Sequence, residues 1–384
     1  HHEQLGNMYW LIGNAQNALS QYESALRLYR NLGDKSSEGS ALGNLGAVYS
    51  DLGDIPKAID YLQQALIISR DMGDTFTENT LIGNLGSMYI RLGQVETAIS
   101  HYQQALVLAR ELQNRQSEAV HLGNLGNAYR DLGQIETAIT YHHQSLEIVR
   151  NTKNRRGEGI RLGNLGTAYR NLGNFDAASA HYQQAIDIAR EVKDHRGEAS
   201  RLGSLGAVYT IQNDYLTALK LLQEAVTITD SLDDDRISQR IKGNLALAYW
   251  LTGDMNLALT TIREAQKQDV PDNNHHIAVY HGIIAFWAGN LDEARGAFVA
   301  TIRISDALIA QTPNFFEAYY TRALGYVGLW LLGDESAYTH AQTEYATAIQ
   351  TCPAKGVKTE AKILLDGLLA CSDHDGAELV KLLA

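Results

Sequence analysis

Five asparagines occupy one position of a forty-residue pattern, and their side chains are well suited to recognising another molecule. They are Asn44, Asn84, Asn124, Asn164 and Asn244. A side-chain amide carries two donors and an acceptor, so it can pair with either backbone group of an extended peptide. The same amides can instead bond to a neighbouring repeat or to each other. The row therefore indicates either peptide contact or inter-repeat structure.

Three arginines and a further asparagine lie beside this row, namely Arg91, Asn127, Arg130 and Arg170. A guanidinium group binds carboxylates well, so these arginines are candidates for contact with acidic residues of a partner. They are equally compatible with solvated side chains or with ion pairs inside the chain.

The same stripe of the sequence becomes apolar toward the C-terminus, at Ile211, Leu247, Trp250 and Leu251. An amide hydrogen bond contributes only about 0.5 to 1.5 kcal/mol, whereas ordering an extended peptide costs about 1 to 2 kcal/mol per residue. Useful affinity therefore needs apolar anchors. We expect a partner segment with polar or acidic residues over repeats three to five and apolar residues over repeats six to eight. The alternative is that these apolar residues pack on divergent C-terminal repeats.

The sequence contains no recognisable catalytic constellation. It has no Walker loop, dinucleotide fingerprint or metalloprotease pair. The Gly43-Asn44-Leu45-Gly46 segment has the spacing of an RNA-binding clamp, but it recurs inside a predicted helix. We predict structural or surface roles for His101, His142, His143 and His181. We therefore expect no enzyme activity, no cofactor and no metal.

Composition excludes several further classes of partner. The net charge of -12 opposes binding to nucleic acid or anionic membranes. No apolar run approaches the roughly 18 residues that span a bilayer. The two cysteines, Cys352 and Cys371, lack the spacing of a metal site or a disulfide framework, which favours a reducing, cytoplasmic setting.

The elements that carry these residues follow from the same period. The phrase Leu-Gly-Asn-Leu-Gly begins at Leu42, Leu122 and Leu162, with variants opening at Ile82, Leu202 and Lys242. A fixed period of about 20 to 50 residues is typical of a solenoid, whose repeats bury apolar faces against their neighbours. Apolar residues fall at helical spacing on both sides of Gly53, so each unit is predicted to be a helical hairpin.

Three further series punctuate the hairpins. We predict left-handed residues after the first helices at Gly53, Gly93, Gly133, Gly173, Asn213 and Gly253. We predict helix N-caps at Asp34, Asp74, Asn114, Asn154, Asp194 and Asp234. The arginines of the series Arg30, Arg70, Arg110, Arg150 and Arg190 are expected to pair with Glu38 and its equivalents Glu78, Glu118, Glu158 and Glu198. That pairing is a structural role.

The order Leu45, Gly46, Tyr49, Gly53, Ala58, Leu62 and Ala65 resembles the tetratricopeptide repeat. The lengthened, forty-residue form is similar to the repeats of Pins-type spindle-orientation adaptors and of bacterial STAND-type signalling ATPases, most closely over residues 154–166. The resemblance implies that the first helices line a concave groove. It also implies that the asparagine row holds a peptide backbone there, as in the adaptors.

From these features we predict an all-α protein, a right-handed α-solenoid of about nine hairpins with C-terminal capping helices. Residues 1–353 are expected to form the solenoid, regular over 1–270 and divergent over 271–353, and residues 354–384 the cap. The predicted function is a non-enzymatic scaffold that binds a peptide or partner protein in its groove. Two alternatives remain: a ligand-sensing arm of a larger STAND-type ATPase, whose N-terminal effector region is missing from this chain, and a self-assembling structural solenoid.

Overall fold

The computed structural model is helical throughout the residues that it describes, which are 1–232, 234–271, 273–370, 372, 374 and 376–384. This part of the chain contains 20 α-helices and no strands. The helices form two compact units, unit 1 (His1–Ala128) and unit 2 (Tyr129–Ala384), and the boundary lies inside the seventh helix. The predicted all-α class is confirmed.

Unit 1 contains α1 (His2–Leu11), α2 (Ala15–Leu32), α3 (Lys35–Asp51), α4 (Ile55–Asp71), α5 (Thr75–Arg91), α6 (Val95–Glu111) and most of α7 (Arg115–Asp131). Unit 2 continues with α8 (Ile135–Asn151), α9 (Arg155–Leu172), α10 (Phe175–Glu191), α11 (His195–Ile211), α12 (Tyr215–Leu232), α13 (Asp235–Leu251) and α14 (Met255–Ala265). It ends with α15 (Asn274–Trp287), α16 (Leu291–Gln311), α17 (Phe316–Leu331), α18 (Ser336–Thr351), α19 (Lys355–Leu369) and α20 (Ala377–Leu383).

Within each unit, consecutive helices pack in pairs, as α3 on α4 in unit 1 and α9 on α10 in unit 2. Small residues allow this close approach. A Cβ atom added to Gly166 of α9 would lie 2.7 Å from the ring of Tyr182 on α10, and one added to Gly46 would lie 2.9 Å from Leu62. Glycine at this position therefore makes room for a large side chain of the second helix.

The predicted left-handed residues, helix N-caps and arginine–glutamate pairs are confirmed. Every predicted left-handed residue has a positive φ, as at Gly173 (88°) and Asn213 (62°). Each predicted N-cap accepts a hydrogen bond from the backbone N–H three residues later, as Asn154 does from Gly157. The five predicted arginine–glutamate pairs form at 2.6 to 3.0 Å between Nε and Oε1.

The C-terminal residues form α19 and α20, and α19 packs more widely than a cap on the last hairpin. It contacts α9, α11, α15 and α17, all first helices of their pairs. Its glycines allow this approach, since a Cβ atom on Gly356 would lie 1.8 Å from the Arg170 carbonyl oxygen. Leu365 and Leu368 of α19 are fully buried in the core of unit 2. This helix is thus an integral part of that core.

None of the described helices is both long enough and apolar enough to cross a bilayer. Cys352 is a free, buried thiol, and Cys371 lies outside the described residues.

Candidate functional site

The asparagine row divides between the two predicted roles. Asn44 on α3 is half-buried, and its Nδ2 donates to Glu3 Oε1 of α1 at 3.1 Å, which is an inter-repeat contact. Asn84 on α5 is exposed, and Asn124 on α7 is half-buried. Neither amide has a side-chain hydrogen bond among the described residues. These two positions of unit 1 therefore leave their amide groups open to a ligand.

The remaining asparagines lie at half-buried positions of the first helices. Asn127 is on α7 in unit 1, whereas Asn164 on α9 and Asn244 on α13 belong to unit 2. Asn244, like Asn84, makes no side-chain hydrogen bond within the described part of the chain. Its amide is available on the same helix as three of the predicted apolar anchors, Leu247, Trp250 and Leu251.

An apolar side chain accompanies the open amide of α7. Val120 precedes Asn124 by one helical turn, so the two share a face of the helix. Its exposed fraction of 43% is large for a valine on a first helix. In unit 2, Ile160 holds the equivalent position on α9 and is 40% exposed. An apolar contact thus lies next to the asparagine position in each unit.

Arg91, the candidate binding arginine of unit 1, forms hydrogen bonds within the chain. Arg91 at the end of α5 is exposed, and its Nη1 donates to the carbonyl and hydroxyl oxygens of Ser50, both at 2.6 Å. This interaction ties α5 to α3. Arg91 therefore has a structural contact, in agreement with one of its two predicted roles.

The arginines of unit 2 differ from each other. Arg130 forms an ion pair with Asp131 at 2.6 Å, which raises the pKa of the guanidinium. Arg170 is half-buried, and its Nε atom is buried without a hydrogen-bond partner. Burial lowers the pKa of Arg170, but nearby Glu360 and Glu317 raise it overall. Arg170 is consequently a charged group with hydrogen-bonding capacity to spare.

Two arginines of this region were missed by sequence reasoning. Arg161 on α9 and Arg201 on α11 hold equivalent positions forty residues apart, and both are half-buried. The Nε atom of Arg161 is also buried without a partner, and burial lowers its pKa to about 10. The sequence feature that could have identified them is the arginine that recurs directly before the first leucine of the repeated phrase, at Leu162 and Leu202.

The predicted apolar half of the groove is mostly covered by the chain. Leu247 and Trp250 retain exposed fractions of only 8% and 5%, while Ile211 and Leu251 are half-buried. Trp250 packs against Gly367 of α19, where a Cβ atom would lie 2.2 Å from the indole ring. Of the two alternatives, packing on the C-terminal part is the arrangement present for Leu247 and Trp250.

Tryptophan contacts fasten α19 over this region. The rings of Trp250 and Trp287 meet edge to face with centroids 6.1 Å apart, and Trp287 Nε1 donates to the Gly367 carbonyl oxygen at 2.9 Å. The buried tryptophan is therefore shielded by a helix that is itself hydrogen-bonded in place.

A cluster with metal-ligand chemistry occurs elsewhere in unit 2. His275, His276 and Glu317 bring potential ligand atoms within 4.8 Å of one another. Burial raises the pKa of Glu317, but His276 and the Arg130 guanidinium lower it further, to about 2. A guanidinium close to the single carboxylate of this cluster opposes a bound cation, so we assign no metal to it.

Comparisons agree with the repeat architecture. The model of the tetratricopeptide repeat matches residues 1–71, 76–154 and 158–231. No curated protein matches the chain.

Three solved structures illustrate the likeness in fold. The apo form of RapI is 19% identical with a TM-score of 0.60, covering 70% of this chain and 97% of that one. A Rap protein complexed with competence and sporulation factor is 15% identical with a TM-score of 0.62, covering 77% and 81%. A STAND protein with a tetratricopeptide repeat sensor, from Pyrococcus horikoshii, is 18% identical with a TM-score of 0.57, covering 69% and 41%.

Identities this low show the fold alone. The family match, by contrast, extends over more than half of the chain and coincides with the hairpins, the left-handed residues and the capped helices described above. The chain belongs to the tetratricopeptide repeat family.

Proposed function

We propose that this protein is a non-enzymatic interaction scaffold that binds an extended segment of a partner protein along the first helices of unit 1. The observation that carries the proposal is the pair of open amides, Asn84 and Asn124, at equivalent positions of α5 and α7. Each can donate to and accept from the backbone of a peptide.

Val120 supplies the apolar anchor that the amides lack. Because it lies one turn from Asn124 and is 43% exposed, a partner side chain can cover it while the amide bonds to the partner backbone. It takes the place of Leu247, which is buried in the core of unit 2, and of Trp250, which packs against α19. We therefore expect a short motif in which an apolar residue is flanked by backbone groups free to hydrogen-bond.

A library of phage-displayed random dodecapeptides, selected on the full chain, tests this proposal. Selected peptides are then titrated by fluorescence anisotropy against the Asn84→Ala/Asn124→Ala variant. Losing hydrogen bonds from two amides should weaken binding by about 1 to 3 kcal/mol, or roughly one to two orders of magnitude in Kd.

The matched control is Asn31→Ala, since Asn31 lies exposed on the second helix α2 of the same unit. It should bind like the wild type. Failure to enrich any peptide, or equal affinity of all three proteins for the enriched ones, would overturn the proposal.

The likeness to the STAND sensor supports a second candidate role, a ligand-sensing arm of a larger signalling ATPase. In that protein the match spans 41% of the chain, which leaves room for other domains there. The complete reading frame tests this role, because a nucleotide-binding motif encoded upstream would support it and its absence would contradict it.

A further inference from the structure

Five arginines are concentrated on the first helices of unit 2, in a chain whose net charge is -12. They are Arg130 on α7, Arg161 and Arg170 on α9, Arg201 on α11 and Arg240 on α13, and we call them the arginine face. Arg240 is exposed, and the other four are half-buried. Clustering of cations against the overall charge requires an explanation.

Two of these guanidinium groups converge on a single hydroxyl. Arg240 Nη2 donates to Ser200 Oγ at 2.8 Å, and Arg201 Nη1 donates to the same atom at 3.4 Å. Their donor atoms are thus at most about 6 Å apart, and no carboxylate of the described residues bonds to either. Burial and the neighbouring Arg201 lower the pKa of Arg240 to about 10, as expected for cations that repel each other.

The Arg201 side chain packs closely against the backbone of α9. A Cβ atom on Gly163 of α9 would lie 2.0 Å from Arg201 Nε, so the arginine crosses α9 at a position that only glycine leaves open. A guanidinium fixed against a helix loses little conformational freedom on binding, which favours affinity for a ligand that reaches it.

The acidic groups around this face neutralise only part of it. Asp131 pairs with Arg130, and Glu317 is held by His276. Asp194, which acts on Arg201 from a distance, forms its ion pair with Arg156.

The carboxylate of Glu360 on α19 raises the pKa of Arg170. The Nε atoms of Arg161 and Arg170 are nevertheless buried, with no hydrogen-bond acceptor among the described residues. The arginine face therefore keeps both positive charge and unused donors.

We propose that the arginine face binds a small, multiply charged phosphate compound. A phosphate group carries up to two charges and several acceptor oxygens, so guanidinium groups from different helices can bond to it together. A single carboxylate offers two oxygens, which one guanidinium fork satisfies. The site lies in unit 2, so it stands or fails independently of peptide binding by Asn84 and Asn124.

Isothermal titration of the full chain with tripolyphosphate tests this site, at constant ionic strength, with sulfate and a tetraglutamate peptide as competitors for the chemical assignment. Tripolyphosphate should bind at least tenfold more tightly than either. The Arg201→Gln and Arg240→Gln variants should each weaken it at least tenfold, whereas Arg303→Gln, on the exposed side of α16, should not change it.

The Arg201→Lys/Arg240→Lys variant keeps the charge and removes the planar forks, and it should also bind more weakly. It provides a second measurement if the glutamine variants fold poorly by circular dichroism. The proposal is overturned if tripolyphosphate binds no better than sulfate, if tetraglutamate binds more tightly, or if the variants at 201 and 240 match Arg303→Gln.

Discussion

Replacing Arg240 with glutamine should stabilise the protein when no anion is bound. Arg240 and Arg201 donate to one hydroxyl, so their donor nitrogens lie at most about 6 Å apart. For charges at that separation, Coulomb's law gives about 3 kcal/mol of repulsion at an effective dielectric constant near 20 and about 0.7 kcal/mol in water. Because Arg240 is exposed, we expect relief near the lower value, about 1 kcal/mol at low salt. Glutamine keeps an amide donor for Ser200.

Urea unfolding at about 10 mM and 1 M salt measures this effect, since the screening length falls from about 30 Å to about 3 Å between these conditions. Tryptophan fluorescence is a suitable signal because Trp250, Trp287 and Trp330 all lie in unit 2. The variant should unfold at higher urea than wild type at low salt, and the difference should shrink at high salt. A destabilised variant, or a difference that salt leaves unchanged, would refute the repulsion argument.

Three further predictions concern packing and protonation. The Gly166→Ala substitution should destabilise the folded protein by about 1 to 3 kcal/mol, because its Cβ atom would lie 2.7 Å from the Tyr182 ring. The Gly296→Ala substitution, which has open space around it, should stabilise the folded protein by about 0.4 to 1 kcal/mol. Urea midpoints that shift in the same direction for both variants would contradict this prediction. The Trp250→Ala substitution should lower the free energy of unfolding by about 3 to 5 kcal/mol and leave the Kd of the selected peptides unchanged. A large loss of affinity in the folded variant would instead show that Trp250 anchors the peptide. Burial lowers the pKa of His142 to about 3, so below about pH 6.5 the unfolded chain binds a proton at this residue and the folded chain does not. The free energy of unfolding should therefore fall from pH 6.5 toward pH 3, and it should fall less in the His142→Leu variant. Unfolding midpoints measured at pH 7.5 and 4.5 will test this prediction.

The hairpin fold was predictable because each repeat contains the residues that begin and end its own helices. A left-handed residue, an N-cap and an arginine–glutamate pair recur every forty residues, and each is a local interaction that the sequence alone specifies. The position of α19 was not predictable in this way. Its docking depends on the close approach of Gly356 and Gly367 to distant helices, and no periodic pattern encodes a contact made only once.

The sequence located the candidate site on the first helices and left two alternatives open for its apolar part. The open amides of Asn84 and Asn124 lie where the row was expected, and binding by them stays a prediction. Trp250 was expected to anchor a ligand or to pack internally, and its burial depends on α19, which follows it by more than a hundred residues. A stripe on one helix specifies a face, but the occupant of that face depends on the rest of the chain.

Other side chains occupy the positions equivalent to Arg161 and Arg201 in the remaining repeats. They are Ala41, Leu81 and Ile241, which are buried in the core, and His121, which is buried and hydrogen-bonded to Asn79. An aliphatic side chain therefore fits this position, and it would avoid the cost of removing a guanidinium from water. Where a fold tolerates leucine or isoleucine and the chain instead places neighbouring cations on α9 and α11, the charge serves something other than the fold. An anionic ligand in unit 2 would account for charged side chains at these positions.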